Sequence, residues 1–176
     1  RRILDLKARL GLHEHRYTDL ESVTNVVGSG AHNAFADTAA SRSITLVSDD
    51  ERLLPMDALS TESTLHIRYA PSTRLWANRA FATGLVDRVF DLREIRLDER
   101  SDSVAYVRAT EALETADRVI VSAYVAASAG SSENALREPL RELITQSATR
   151  KPTVVISFGN PYLLAAVPDV SSYLLA

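Results

Sequence analysis

Several groups of side chains in this sequence have the types that chemistry uses, and their spacing decides how far each can go. His13-Glu14-His15 brackets a carboxylate with two imidazoles. The H-E-x-x-H spacing that sets two histidines on one helix face is absent, so the triplet reads as part of a solvated linker. Asp49-Asp50-Glu51 offers three carboxylates. Glycosidic cleavage needs two that face each other across a bond, whereas adjacent side chains diverge, so this is an exposed turn. Gly28-Ser29-Gly30 precedes a helix as phosphate loops do, but no strand leads into it and no G-x-G-x-x-G follows; it reads as a turn and N-cap. Ser122, Ser128 and Ser131 lack the G-x-S-x-G elbow of a hydrolase nucleophile. His32 and His66 stand alone, and His66 is expected on the solvent side of a strand, opposite Leu65 and Ile67. These residues assemble no self-contained active site.

The most structured stretch is Lys151-Pro-Thr-Val-Val-Ile-Ser-Phe-Gly-Asn-Pro-Tyr162. Thr153 to Phe158 is a short β-branched run of the buried-strand kind. Gly159 breaks it, Asn160 can cap a helix, and Pro161 fits a first helical position. A strand passing directly into a helix is the corner where α/β sheets place ligands. This corner carries no acid, base, thiol or metal ligand.

The elements around it alternate. Residues 1–10 form an amphipathic helix ending at Gly11, and 11–27 are polar and irregular. Ser29 caps a helix to about Ser41, with Phe35, Ala36, Ala39 and Ala40 on one face. Strands follow at Ile44–Ser48 and Thr64–Ala70. Ser72 caps a helix to Gly84 with Leu75, Trp76, Ala80 and Phe81 inward. A strand lies within Val86–Leu97, and a helix ends near Ala116. The strand Arg118–Tyr124 then leads to a helix with Leu136, Leu140, Leu143 and Ile144 inward and Pro139 in its first turns or at a kink. This alternation implies a mostly parallel sheet covered on both faces.

Composition narrows the class. The 176 residues are 45% hydrophobic and 24% charged, as in an ordinary globular domain. A net charge of −3 with scattered arginines provides no basic stripe for nucleic acid. No cysteine is present, which removes disulfides and thiolate chemistry and fits any compartment. No apolar span is long enough to cross a membrane, and nothing calls for a metal or cofactor. The chain opens without Met and stops within Ser171–Ala176, which reads as an unfinished strand. The expectation is a fragment whose cut sheet edge could pair with a second copy.

Several segments resemble the second domain of family 3 glycoside hydrolases, in their β-N-acetylglucosaminidase branch. Arg1-Arg2-Ile3-Leu4-x-x-Lys7-x-Arg9-Leu10-Gly11-Leu12 resembles the last helix of that family's barrel. Ala39 through Val47, with Leu53-Leu54-Pro55, is similar to the opening of the second domain; Ala116–Val121 and Lys151–Tyr162 are similar to its later strands. The resemblance implies a three-layer α/β/α sandwich with a mostly parallel, flavodoxin-like sheet, truncated at its C-terminus. It further implies residues 1–27 as barrel end and linker, and 28–176 as the sandwich. The family's aspartate nucleophile and, in this branch, its His–Asp acid/base pair would sit on a barrel before Arg1, so no catalytic residue is expected in this chain. The partner would be that barrel, with the glycan bound through it. Ser128, Ser131, Asn160 and Tyr162 would wall the cleft. The glucosidase branch carries an acid/base glutamate on this domain. Here no carboxylate follows Val125 until Glu133, which makes Glu133 the rival candidate. A stand-alone flavodoxin-like binding module is the remaining alternative.

Overall fold

The computed structural model describes residues 1–57, 60–74, 76–125 and 136–176. The chain divides into two compact units, Arg1–Arg42 and Ser43–Ala176.

The first unit is helical: α1 (Arg2–Arg9), α2 (Leu20–Val26) and α3 (Gly30–Ser43, whose last residue crosses into the second unit). Asp19 starts α2 by accepting a hydrogen bond from the Glu21 N–H at 3.1 Å. That helix replaces part of the irregular stretch expected over 11–27. Ser29 Oγ receives the His32 N–H, as a cap does. No residue of this unit is buried, and Phe35, expected to face inward, is 77% exposed.

The second unit is built on one six-stranded sheet. Its strands are β1 (Thr45–Asp49), β2 (Ser63–Tyr69), β3 (Asp91–Leu97), β4 (Arg118–Ala123), β5 (Thr153–Ser157) and β6 (Ser172–Leu175), in the order β1-β6-β5-β4-β2-β3. All neighbours are parallel except β1, which runs antiparallel to β6. The expected α/β sandwich with a mostly parallel sheet is what forms. The chain's last strand is not an open edge, however, because β6 pairs with β5 on one side and β1 on the other. The cut-edge dimer therefore loses its basis; the edges are β1 and β3.

One face of the sheet packs against α5 (Ser103–Thr115) and α6 (Glu138–Arg150). Leu65, Ile67, Val119, Val121, Val155 and Tyr173 meet Ala109, Ala112, Leu113, Leu140, Leu143 and Ile144 there. Small alanines let α5 approach the strands closely. Asp102 caps α5 through the Ala105 N–H at 2.9 Å, and Pro139 sits in the first turn of α6 without kinking it. The opposite face carries α4 (Arg79–Val86). That helix begins seven residues after Ser72, the expected cap, and leaves Trp76 74% exposed rather than inward. After β5, Pro161–Ala166 forms a short 3₁₀ helix rather than an α-helix.

Candidate functional site

Strand pairing, not sequence proximity, gathers the polar residues of the α4 face. Parallel register sets His66 of β2 beside Glu94 of β3, and Arg68 beside Ser122 of β4. Paired positions project to the same face. His66 Nε2 lies 2.8 Å from Ser122 Oγ, and Nδ1 lies 3.1 Å from Glu94 Oε2 but off the line of a good hydrogen bond. Arg68 bridges outward, 2.9 Å from Glu94 Oε1 and 3.2 Å from the Ala77 carbonyl it donates to. Next along the face, Tyr124 donates its hydroxyl to Asn78 Oδ1 at 2.6 Å. Phe81 of α4 meets His66 and Phe158 edge-on, and Tyr124 stacks flat on Phe158 at 4.3 Å.

Ser122, His66 and Glu94 thus stand in the order of nucleophile, base and orienting carboxylate. Access decides against that chemistry: His66 and Ser122 are both 0% exposed, with Phe81 packed on the ring. Desolvation is the largest influence on the imidazole and outweighs the pull of Glu94; together with the opposing charge of Arg68 it brings the pKa down to about 4. The ring is therefore neutral. We assign its proton to Nδ1, facing Glu94, with Nε2 accepting from Ser122. The group ties three strands and α4 together. It also corrects the expectation that His66 faces solvent: in a sheet covered on both faces, the polar side of a central strand is interior. The Thr64-x-His66-x-Arg68 alternation was the available signal, since polar residues there require partners.

The corner after β5 divides its expected roles. Asn160 is 1% exposed; its side chain accepts the Tyr162 N–H at 3.0 Å, and its carbonyl accepts the Ser157 hydroxyl at 2.6 Å. It shapes the turn and presents no side chain to a cleft. Tyr162 is 75% exposed at the rim. Ser128, Ser131 and Glu133 lie outside the described residues. The carboxylates at the carboxyl end of β3 are engaged: hydrogen bonds from the Ser72 hydroxyl and N–H hold Glu99 at about 2, so it has no proton to give near neutrality. Elsewhere, Asp49 accepts from the Leu53 and Leu54 N–H groups and from Ser172, organising the acidic turn. His13 and Glu14 form an exposed pair at 3.5 Å. No metal-holding cluster occurs among the described residues. A groove of about 560 Å³ opens at the amino ends of β4 and β5, beside Arg52, Arg118 and Pro152, away from the corner.

No protein-family model matches the chain. A Cellulomonas fimi protein described as a beta-N-acetylglucosaminidase/beta-glucosidase is 29% identical over 180 residues, spanning 96% of this chain and 31% of that protein. The chain is similar in sequence to that protein and in fold to domains of family 3 glycoside hydrolases. The fold agrees: a beta-glucoside phosphorylase, BglX, bound to 2FGlc superposes with a TM-score of 0.73 at 25% identity, covering 99% of this chain and 32% of that one. A family 3 beta-N-acetylglucosaminidase from Paenibacillus sp. str. FPU-7 gives 0.71 at 18%, with the same coverage. The chain thus spans about a third of the length of each of these three proteins.

Proposed function

We propose that the domain is the accessory, non-catalytic second domain of a retaining, exo-acting enzyme that removes terminal β-linked N-acetylhexosamine. The nucleophile and a His–Asp acid/base pair would stand on an N-terminal (β/α)8 barrel, with reaction through a glycosyl-enzyme intermediate. The observation that carries this reading is the similarity along 96% of the chain to 31% of a protein named for that activity. The chemistry of the corner supports it. Among the described residues, the exposed group there is the phenol of Tyr162, while Glu99 is locked ionised and His66 is sealed. A ring at a rim can border a sugar but cannot move its protons. Tyr162, with Ser128 and Ser131, would wall the cleft.

The test is turnover of a chromogenic N-acetylglucosaminide. The purified 176-residue chain should show none, and a version extended through an upstream barrel should show clear activity that survives Glu133→Gln. Loss of several orders of magnitude in that variant would instead make Glu133 the acid/base of a glucosidase-type enzyme. A second reading is favoured by the likeness to a phosphorylase at 25% identity. Transfer to phosphate would appear as a sugar 1-phosphate product and a rate that rises with phosphate.

A further inference from the structure

We propose that α4 is an acid-releasable clasp on the sheet, held by the buried His66 cluster and let go when that cluster takes up a proton. The polar and aromatic attachment of α4 is local, while Leu85 and the following Val89 add apolar cover beside Ile120 and Ile156. The helix itself has no fully buried residue. Among the described residues, its hydrogen bonds and ring contacts to the sheet side concentrate at residues 77–81: Arg68 to the Ala77 carbonyl, Tyr124 to Asn78, and Phe81 against His66 and Phe158. His66 is at the centre of this footing and is wholly enclosed.

The groups facing the imidazole determine what a proton would do there. From β3, Glu94 favours the charged ring; from β2, Arg68 opposes it; from β4 comes only the neutral Ser122 hydroxyl. α4 contributes Phe81, which offers no hydrogen bond. Arg79 of α4 lies over Trp76, and Arg88, just past the helix, donates to the Gly84 carbonyl. A proton added in place therefore leaves a charged ring without water. Phe81 is the apolar cover that α4 lays on the ring, so lifting it, and the start of α4 with it, lets water reach the charged imidazole. Beside that helix lies a mainly apolar groove of about 360 Å³ lined by Phe81, Leu85, Ile120, Ile156 and Leu174, with Arg88 among its walls, which release would widen.

Burial holds the enclosed ring at about 4, whereas a freed one titrates at 6.5. The held form therefore binds fewer protons. Between pH 6.5 and 4 the released form gains on it progressively, by up to roughly 300-fold. Above 6.5 the clasp is closed at no cost from this group. The device stands independently of the catalytic reading.

Hydrogen exchange read by mass spectrometry on the full chain tests it. After correction for intrinsic exchange rates, opening of a 77–89 peptide should rise at least tenfold from pH 7 to pH 4.5, while peptides of α5 and α6 stay protected. His66→Asn should remove that pH response. A pH-independent α4, protection lost simultaneously in α5 and α6, or an unchanged response in His66→Asn would each overturn the proposal. If His66→Asn does not fold, Glu94→Gln serves. Removing the charge that favours the imidazolium in the held form should make the held ring bind the proton still less well. Opening of the 77–89 peptide at pH 3.5 should then exceed that of the unchanged chain, and opening that is unchanged or reduced there overturns the idea.

Discussion

Burying the His66 imidazole removes its hydration, and Ser122 and Glu94 return only part of what water supplied. The resulting depression, from 6.5 to about 4, also makes stability depend on pH across the whole domain. Because the folded state disfavours the proton, stability is full above 6.5 and falls as pH drops toward 4, by about 3 kcal/mol. Carboxylates act lower on the scale. Asp49 and Asp117 are pulled down chiefly by hydrogen bonds from Ser172 and Ser63 respectively, and Glu99 by those from Ser72. Lowered acids contribute stability above their unfolded values and lose it as pH falls through the folded ones; for Glu99 that window runs from 4.5 to about 2. Urea unfolding across pH should therefore show two stages, the upper one absent in His66→Asn. Tyr124→Phe is a separate case. It leaves Asn78 Oδ1 without its donor in a site only 5% exposed, and should cost about 1–3 kcal/mol in urea unfolding while the stack on Phe158 persists.

At the scale of elements, α6 and α4 make opposite cases. Leu140, Leu143, Ile144 and Ser147 place one stripe of α6 entirely in the core. Leu140→Ala should cost about 2–5 kcal/mol, whereas Pro139→Ala, in the first turn, should change little; both are measurable by urea midpoint. Gly159 holds φ at +103°, a conformation that side chains with a Cβ rarely adopt. Gly159→Ala should destabilise by about 1–3 kcal/mol through backbone strain, since its Cβ would make only ordinary contact with the Val125 carbonyl. The same contrast explains what was legible in the sequence. The strands centred on Val119–Val121 and Val154–Ile156, and the helices flanking them, follow from runs and stripes that report their own burial. α4 was misplaced because the hydroxyl of Ser72, the expected cap, is committed to Glu99 across 27 residues of chain. Asn78, in a left-handed conformation at φ 76°, starts the helix instead. The polar cluster was hidden for a related reason: its members come from three strands, and only register unites them. Local spacing carries no information about that.

For the molecule as a whole, the two sheet edges are blunted differently. β3 lines its edge with Asp91, Arg93, Glu94 and Arg96, and β1 has an irregular register between Leu46 and Ser48, devices that resist strand-to-strand association. The larger exposed apolar surface lies in the first unit. Ile3, Leu4, Leu6 and Leu10 of the amphipathic α1 are 57–71% exposed, and Phe35 of α3 is 77% exposed. A helix turning that much leucine and isoleucine to solvent is a surface awaiting cover, which the barrel would supply under the proposed function. Within this chain, the unit buries none of its own residues, so it should add little to folding stability. Removing residues 1–42 should shift the thermal midpoint by no more than about 2 °C, because 1 kcal/mol corresponds to a change of a few degrees in a domain of this size. The same truncation should reduce concentration-dependent association in sedimentation velocity, since the exposed stripe goes with it. A drop of many degrees would mean that Arg1–Arg42 supports the sheet. Undiminished association would move the sticky surface to the sandwich itself, where Leu46 and Val47 on β1 are the next exposed apolar side chains to replace.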